Sequence, residues 1–301
     1  MNRVIEVDGT GGDGAMVFWD AGPVKASVLK DALDGAGLGG FYPSTSRQQW
    51  AIKEVLSDFC SASNLKLKQH GNPVKISPLR TDVRGVEAVR QTKGESHNQH
   101  DFLLSITVND HGDVRIAEIN KDCFSMLVGR YHLVEQAMTN SYRAKMEIMP
   151  TTMVSTCINN VLGSMGGTLC KQDGGLWFLP GDQIGFFEAL AAEIMQGSSQ
   201  LVVSSIKFPL KPTESSYRMV LASIRREALA VTKTMNDALA DLAGSELRND
   251  GISTRLRVLS ELKNKVKLYE DLLGVTMTDV HQAVDDSANA VTTHNVLAAC
   301  V

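Results

Sequence analysis

A glycine-rich run near the N-terminus is the first stretch whose spacing matches a binding chemistry. Residues 9–14 (GTGGDG) follow a strand-like segment at 3–7, as a phosphate-binding loop would. Such a loop must lead into a helix, so that the phosphate meets the amides of the helix N-terminus. Residues 15–19 (AMVFW) instead have the pattern of a strand, and no Gly-Lys-Ser/Thr sequence is present. The run therefore predicts a hairpin loop, and we expect no nucleotide cofactor.

Three histidines lie close to carboxylates in a way that could hold a metal ion. His97, His100 and His111 accompany Asp101, and two histidines three residues apart can share a zinc ion when they lie on one helix. Residues 95–101 (ESHNQHD), however, have the composition of a loop, in which that spacing does not fix the geometry. We therefore predict solvated histidines and no metal site.

The remaining residues match no familiar catalytic pattern. The sequence has no Gly-x-Ser-x-Gly, no His-Glu-x-x-His and no pair of carboxylates in a recognisable frame. Its five cysteines are an odd number and never form Cys-x-x-Cys, so they indicate buried, reduced thiols rather than a disulfide framework. We predict no catalytic residues, although a site assembled in space from distant residues would leave no such signature.

One basic stretch, residues 64–100, has seven Lys/Arg against three acidic residues. Four of these cations, Lys66, Lys68, Arg84 and Arg90, are candidates for contacts with a nucleic-acid backbone. The competing interpretation is that alternate positions of exposed strands simply face water.

Two predicted helices followed by a hairpin, over 136–179, have the order of a winged helix. In that interpretation the second helix, over 150–164, would enter the major groove of DNA. That helix contains no Arg or Lys and so lacks the phosphate contacts that such helices make. Nucleic-acid binding through this unit is therefore possible but not favoured.

Composition indicates a globular protein without a strongly charged surface. Of 301 residues, 43% are hydrophobic and 21% are charged, which suffices for a buried core. The net charge of −4 provides no overall attraction to nucleic acid or anionic membranes. The N-terminus lacks the apolar region of a signal peptide, and no apolar run of about 18 residues occurs. We therefore expect a cytoplasmic protein that contacts no membrane.

The first part of the chain, 1–125, predicts an α+β domain. Capping residues and apolar spacing indicate a helix over 24–36 and a second helix beginning near 44–46. Strand-like segments lie at 3–7, 15–19, 65–68, 73–79, 85–92, 102–109 and 114–119. The turn at 110–113 (DHGD) makes 102–119 the clearest predicted β-hairpin.

The second part, 126–212, is predicted to be helical with a β-hairpin inside it. Helical patterns over 131–148 and 150–164 precede the hairpin, which covers 168–179. A helix over 182–196 and a strand over 199–208 complete this part.

The strongest periodicity lies in the third part, 213–284. Apolar residues alternate by four and three along two segments that a polar loop at 244–251 separates. The first seam consists of Tyr217, Leu221, Ile224, Ala228, Val231, Met235, Ala238 and Leu242, and the second of Leu259, Leu262, Val266, Tyr269 and Leu273. This pattern predicts a long antiparallel helical hairpin, followed by a weakly ordered tail over 285–301.

Some apolar residues lie off this seam and need a second covering surface, either the body of the protein or another subunit. On the first helix these are Met219, Val220, Leu229 and Leu239. In the predicted β-hairpin, Trp177 and Phe178 point to opposite faces of a strand, so one of them can contact a partner. These six residues are the predicted interaction residues.

Two short motifs resemble an uncharacterised family of phage and bacterial proteins. The first is the run over 170–180 (CKQDGGLWFLP), in which polar residues, a Gly-Gly pair, aromatic residues and a proline follow one another. The second consists of Lys265, Tyr269, Leu273 and Gly274, in the pattern K-x-x-x-Y-x-x-x-L-G. The resemblance covers 150–274, implies a phage or bacterial context and carries over no activity.

These features predict an α+β protein in which a small, mostly antiparallel sheet with helices precedes a helical region with a β-hairpin and a long C-terminal antiparallel helical hairpin. The functional hypothesis is a non-enzymatic structural or interaction protein. It would self-assemble as a homo-oligomer, or dock a protein partner, through that helical hairpin. The alternative is a nucleic-acid-associated protein that uses 64–100 or 136–179.

Overall fold

The computed structural model describes residues 14–69, 74–79, 84–91, 98–121, 131–171, 175–208, 215–242 and 249–298. Within these ranges the chain has the predicted α+β fold, with eight α-helices and ten strands that pair antiparallel. The helices are α1 (Ala26–Gly35), α2 (Ser44–Gln69), α3 (Tyr131–Met146), α4 (Thr151–Ser164), α5 (Gly181–Met195), α6 (Ser215–Asp241), α7 (Asn249–Leu273) and α8 (Thr278–Ala298). The strands are β1 (Gly14–Asp20), β2 (Val24–Lys25), β3 (Val74–Pro78), β4 (Gly85–Gln91), β5 (Asn98–Val108), β6 (Val114–Ile119), β7 (Ile148–Met149), β8 (Thr168–Lys171), β9 (Leu176–Pro180) and β10 (Val202–Phe208).

The fold consists of two compact units, each built from separate stretches of the chain. The bundle unit combines residues up to 21 with 158–195 and 200–301, and the meander unit combines 22–157 with 196–199. The predicted domains, 1–125, 126–212 and 213–284, are continuous stretches of chain that would fold independently, and they stay predictions.

A four-stranded sheet with the order β10-β1-β9-β8 forms the centre of the bundle unit. Because side chains alternate along a strand, β1 serves two cores. Met16 lies opposite Phe178 in the register and joins the core of the C-terminal helices. Val17 points to the other face together with Ser205, whose hydroxyl donates to Glu188 of α5 at 2.5 Å. The sheet is therefore covered by α5 on one face and by the C-terminal helices on the other.

The predicted helical hairpin is present as α6 and α7. The Tyr217 hydroxyl, near the start of α6, donates to the carbonyl of Leu273 at the end of α7 at 2.9 Å, so the two helices are antiparallel. The seam residues Ile224 and Val266 are fully buried between them.

A third helix, α8, extends from Thr278 to Ala298 and packs on both α6 and α7. The predicted weakly ordered tail, 285–301, therefore overlaps the second half of this helix. The buried stripe of this helix is Val280, Val284, Ser287 and Val291. Its spacing is helical, but a serine and small neighbours weaken the apolar signal, and the stripe becomes a buried face only against two other helices.

The turn between α7 and α8 is held by a carboxylate. Glu270 accepts hydrogen bonds from the backbone amide of Met277 and, at 2.8 Å, from the ring of His281. Burial by itself would raise the pKa of Glu270, but these hydrogen bonds outweigh it and lower the pKa below its usual value.

The meander unit contains a second four-stranded sheet, in which β3, β4, β5 and β6 pair in chain order. Helices α2 and α3 pack on it and on each other. Their shared core includes Val55, Leu56, Ile76, Leu104, Ile106 and Met138. The predicted hairpin over 102–119 is confirmed as β5 and β6, and Asn109 Oδ1 accepts the amides of His111 and Asp113 in the turn.

One predicted strand is wrong, because residues 65–68 (LKLK) belong to the last turns of α2. In a strand, Leu65 and Leu67 would share one face. In the helix they lie on different sides, so Leu67 is buried whereas Leu65 is 60% exposed. The helix is tied to β3 by Asn64, whose side-chain amide bonds both the amide and the carbonyl of Ile76, at 2.6 and 2.8 Å.

Candidate functional site

A cluster of polar side chains around Lys265 connects the helices of the bundle unit to its sheet. The Lys265 ammonium donates to Glu227 Oε1 and to the carbonyl of Gly167, both at 2.6 Å. Glu227 Oε2 accepts the hydroxyl of Thr168 at 2.7 Å. Tyr269 lies four residues after Lys265 on α7, and its hydroxyl donates to the carbonyl of Gly166 at 2.9 Å. The cluster therefore holds the start of β8 against α6 and α7.

The sequence motif K-x-x-x-Y-x-x-x-L-G acquires a structural meaning in this cluster. Lys265 and Tyr269 are four residues apart on α7 and so share one face, which is the face that contacts the turn. The turn needs glycine because Gly166 has φ of +78°, and a Cβ at Gly167 would lie 2.7 Å from a backbone oxygen. Gly274, with φ of +63°, ends α7 in the left-handed conformation typical of a helix C-terminus.

The same cluster has lysine, glutamate, threonine and tyrosine, which are the residue types of acid–base catalysis. Burial raises the pKa of the Tyr269 hydroxyl well above its usual value, so it remains a donor at neutral pH. Thr168 is completely buried and its hydroxyl is committed to Glu227. Cys170, nearby on β8, is buried and its pKa is raised by burial, which disfavours the thiolate. The arrangement anchors backbone and offers no activated nucleophile among these residues.

Three of the six predicted interaction residues are part of the core of the bundle unit. Phe178 and Val220 are fully buried, and Leu239 is 6% exposed. The surface that covers them belongs to the same unit. Phe178, for example, packs against Tyr269 with 5.9 Å between the ring centroids. None of these three side chains is accessible to a partner of the folded protein.

The other three predicted interaction residues keep some accessible surface. Met219 and Trp177 are half-buried, and the indole Nε1 of Trp177 donates to Asn159 Oδ1 at 2.9 Å. Leu229 is 40% exposed on α6. Of the six, Leu229 is thus the best placed to contact another chain.

The four cations predicted to contact nucleic acid are exposed, but the structure does not gather them on one surface. Lys66 and Lys68 lie two positions apart on α2, and such residues point in different directions on a helix. Arg84 and Arg90 lie near opposite ends of β4. Arg90 is also close to Asp101, with 3.6 Å between Nε and Oδ2.

The predicted winged-helix unit, 136–179, includes the confirmed hairpin of β8 and β9. In the sheet, β9 pairs with β8 on one side and with β1 on the other, so only β8 could act as the edge of a wing. A wing that reaches into a DNA groove projects from its domain, whereas this hairpin lies within a sheet.

The histidine cluster lies partly outside the described residues. His97 is not described, and His100 Nδ1 lies 3.1 Å from Glu87 Oε2 on the neighbouring strand. Among the described residues, no group of three or more His, Cys, Asp or Glu side chains is arranged to hold a metal ion. Residues 9–13 of the glycine-rich run and the strand predicted at 3–7 also lie outside the described ranges.

The meander unit has an open groove between α2 and α3. It has a volume of about 390 Å³. Its apolar lining consists of Val55, Phe59 and Ala62 from α2, and Leu133, Val134, Ala137 and Met138 from α3. Leu133 is 55% exposed, so one wall of the groove is an uncovered leucine.

Charged residues mark the two ends of this groove. At one end, the Lys145 ammonium of α3 pairs with Asp58 Oδ2 of α2 at 2.9 Å. Lys66 lines the groove towards the C-terminal end of α2. An apolar floor with charged ends suits the apolar face of an amphipathic helix.

The apolar spacing of α3 indicates one wall of this groove in the sequence itself. Leu133 and Ala137, and likewise Val134 and Met138, are four residues apart, which places two apolar rows along α3. On α2, Val55 and Phe59 are likewise four residues apart. The apolar spacing within each helix does not indicate that α2 and α3 pack against each other, because the two helices are far apart in the chain.

Comparisons with other proteins identify a family but no activity. A family model described as "Family of unknown function (DUF6744)" matches residues 18–298 of the chain. No curated protein and no solved structure matches it. In the described part of the chain, no helix is both long enough and apolar enough to cross a membrane.

Proposed function

The chain belongs to this family of unknown function, and from the geometry of its described residues we propose that it is a non-enzymatic interaction protein. The observation that carries the proposal is the open groove between α2 and α3, with its exposed Leu133. Such a groove binds the apolar face of a helix from another chain. A second copy of this chain is the partner to test first, and the protein is then a homo-oligomer.

The polar cluster around Lys265 supports the non-enzymatic part of this proposal. It has the residue types that acid–base chemistry requires, yet its donors are bound to Glu227 or to backbone carbonyls. A catalytic group has to reach a substrate atom with its reactive proton or lone pair. These side chains hold the fold together instead.

The C-terminal helices contribute a second, smaller docking surface in this proposal. Leu229 on α6 and Leu268 on α7 are 40% and 41% exposed, whereas Ile224 and Val266 on the same two helices are fully buried. We propose that the docking role predicted for the helical hairpin uses these accessible side chains.

Size-exclusion chromatography with light scattering, at low and high salt, tests the proposal. We expect a mass above that of one chain that persists at high salt, because apolar contacts are not screened. Leu133→Glu places a charge in the groove and should weaken association about 10- to 100-fold, as expected for losing one buried leucine. Leu65→Glu is the matched control, since Leu65 is 60% exposed on α2 but does not line the groove.

Two results would contradict the self-assembly proposal. The first is the mass of a single chain across the micromolar range for the wild type. The second is an equal effect of Leu133→Glu and Leu65→Glu, which would show that the groove is not the contact. A selective effect of Leu229→Glu would move the docking surface to the C-terminal helices.

Nucleic-acid association is the second candidate, and it rests on the exposure of Lys66, Lys68, Arg84 and Arg90. Their separation within the meander unit makes it the weaker proposal. Fluorescence anisotropy with labelled DNA and RNA at low salt is the test. Binding that falls steeply with salt and is lost in the fourfold Ala variant would support it. No signal would exclude it as a main function.

Two further parts of the proposal concern the context of the protein. Phage or bacterial origin rests on the hairpin and K-x-x-x-Y motifs alone. A cytoplasmic location agrees with the free, buried thiols of Cys60, Cys157 and Cys170, because reducing compartments preserve such thiols.

A further inference from the structure

A cavity in the meander unit brings three cations together at the start of α1. It has a volume of about 650 Å³. The residues that line it are Lys25, Ala26, Ser27, Lys30, Tyr42, Arg47, Met146, Glu147 and Ile148. The charged members are three cations and one carboxylate, so the lining is positive.

Arg47 is the unusual member of this cavity, because it is a charged residue that is only 8% exposed. Its Nη1 donates to the hydroxyl of Tyr42, and its Nε is buried without a hydrogen-bond partner. No carboxylate of the described residues lies within ion-pair distance of the guanidinium. Burying a guanidinium without a counter-charge is unfavourable, and an anion in the cavity would offset that cost.

The N-terminus of α1 adds a second feature that favours negative charge. No side chain caps this helix, and its first amide, at Ala26, donates to the carbonyl of Glu147. Helix geometry leaves the next amides, at Ser27 and Val28, without partners inside the helix. Amides at this position and the helix dipole both stabilise a bound anion.

From this arrangement we propose that the cavity binds the phosphoryl group of a small organic phosphate monoester. A phosphoryl group has three terminal oxygens. It can therefore accept at once from Arg47, from the hydroxyls of Tyr42 and Ser27, and from amides of α1. Lys25 adds positive charge at the rim, whereas the charge of Lys30 is balanced by its ion pair with Asp34.

The size and the apolar wall of the cavity indicate the organic part of the ligand. A volume of about 650 Å³ exceeds the needs of one phosphate group and lies in the range of small-molecule sites. Met146 and Ile148 form the apolar wall, and Ile148 is 45% exposed. An organic group attached to the phosphate would cover this exposed side chain.

Isothermal titration calorimetry at constant ionic strength, with inorganic phosphate and phenyl phosphate as probes, tests this proposal. We expect both probes to bind, and phenyl phosphate to bind more tightly because it also contacts the apolar wall. Arg47→Gln and Lys25→Glu should each weaken binding at least about tenfold, since each removes a charged interaction. Glu147→Gln should strengthen binding, because it removes the one carboxylate of the lining.

Lys53→Glu is the matched control for Lys25→Glu, since Lys53 is exposed on α2 and does not line the cavity. Equal losses of affinity in these two variants would show that binding depends only on the net charge of the protein, and would overturn the proposal. So would an absence of binding by both probes to the wild type. Lys25→Glu and Glu147→Gln alter exposed residues, so they decide the question even if Arg47→Gln fails to fold. If a 5′-phosphorylated oligonucleotide binds far more tightly than phenyl phosphate, the ligand is a nucleic acid and the small-molecule proposal is wrong.

Discussion

The anchoring cluster of the bundle unit predicts a graded loss of stability when its two donors on α7 are removed one at a time. Tyr269→Phe deletes only the hydroxyl that donates to the Gly166 carbonyl at 2.9 Å and keeps the packing against Phe178. Because it removes the hydrogen bond to the half-buried Gly166 carbonyl, we expect the free energy of unfolding to fall by about 1–2 kcal/mol. Phenylalanine keeps the fully buried ring of this residue, so no loss of packing should add to this value.

Lys265→Met should cost more, because it removes a charge as well as a hydrogen bond. The ammonium contacts Glu227 and the Gly167 carbonyl, both at 2.6 Å. Breaking a fully buried pair costs about 3–5 kcal/mol. The side chains of Lys265 and Glu227 are 15% and 33% exposed, and solvent screening reduces the expected loss to about 2–3 kcal/mol.

Urea unfolding followed by tryptophan fluorescence measures these losses within the bundle unit. Trp19 and Trp177 belong to this unit, whereas Trp50 belongs to the meander unit. A Trp50→Phe background therefore makes the fluorescence report the bundle unit alone. Circular dichroism at 222 nm reports the helices of both units, so it should coincide with the fluorescence transition only if both units unfold together.

Lys267→Met is the control for Lys265→Met, because Lys267 is exposed on the same helix. We expect this variant to remain within about 0.5 kcal/mol of the parent. The reasoning is refuted if Tyr269→Phe leaves the stability unchanged, or if Lys267→Met costs as much as Lys265→Met. Either result would mean that the cluster does not anchor β8 to the helices.

Three further predictions concern burial and ionisation. Ile224→Asp should destabilise by several kcal/mol and Val231→Asp by less, because Ile224 is fully buried whereas Val231 is half-buried; equal melting temperatures would contradict this difference. Burial raises the pKa of Cys60 to about 12, so a variant with Cys60 as its one cysteine should react with a disulfide reagent at neutral pH only after unfolding; rapid labelling of the folded protein would show that the thiol is accessible. The pKa of Glu270 is lowered in the folded state, so its carboxylate contributes stability above the unfolded pKa, and that contribution is lost as pH falls through the folded pKa. Unfolding free energies measured from neutral to acidic pH should therefore fall less in Glu270→Gln than in the wild type, and parallel curves would exclude this role.

The regular elements of this protein could largely be predicted from local patterns. The four-and-three alternation on α6 and α7, and the turn of the β5–β6 hairpin, depend on residues close together in the chain. The segment at 65–68 shows the limit of such patterns. Alternating Leu and Lys fit a strand, but the helix that begins at Ser44 continues through them, and the packing of Leu67 decides the outcome.

The candidate sites could not be predicted in the same way, since each depends on contacts between distant parts of the chain. The groove exists because α2 and α3 pack side by side. The anion cavity exists because Arg47 of α2 is buried near the start of α1 and the end of α3. Single residues such as Arg47 have no periodic signature, and nothing near Arg47 in the chain indicates that its charge is buried.

Sequence by itself determined which residues of α7 point inward, because helical periodicity is a property of neighbouring residues. On α6 it did so only in part, since three of the eight predicted seam residues, Tyr217, Ile224 and Ala228, are buried and the other five are half-buried. Tertiary structure alone decided what covers the apolar residues off that seam. Val220 and Leu239 became core residues because they join one cluster with residues of α7, α8 and the central sheet, whereas Leu229 remained accessible. The physical reason is that burial is a property of the whole packed chain. A side chain loses its contact with water only when distant segments approach it.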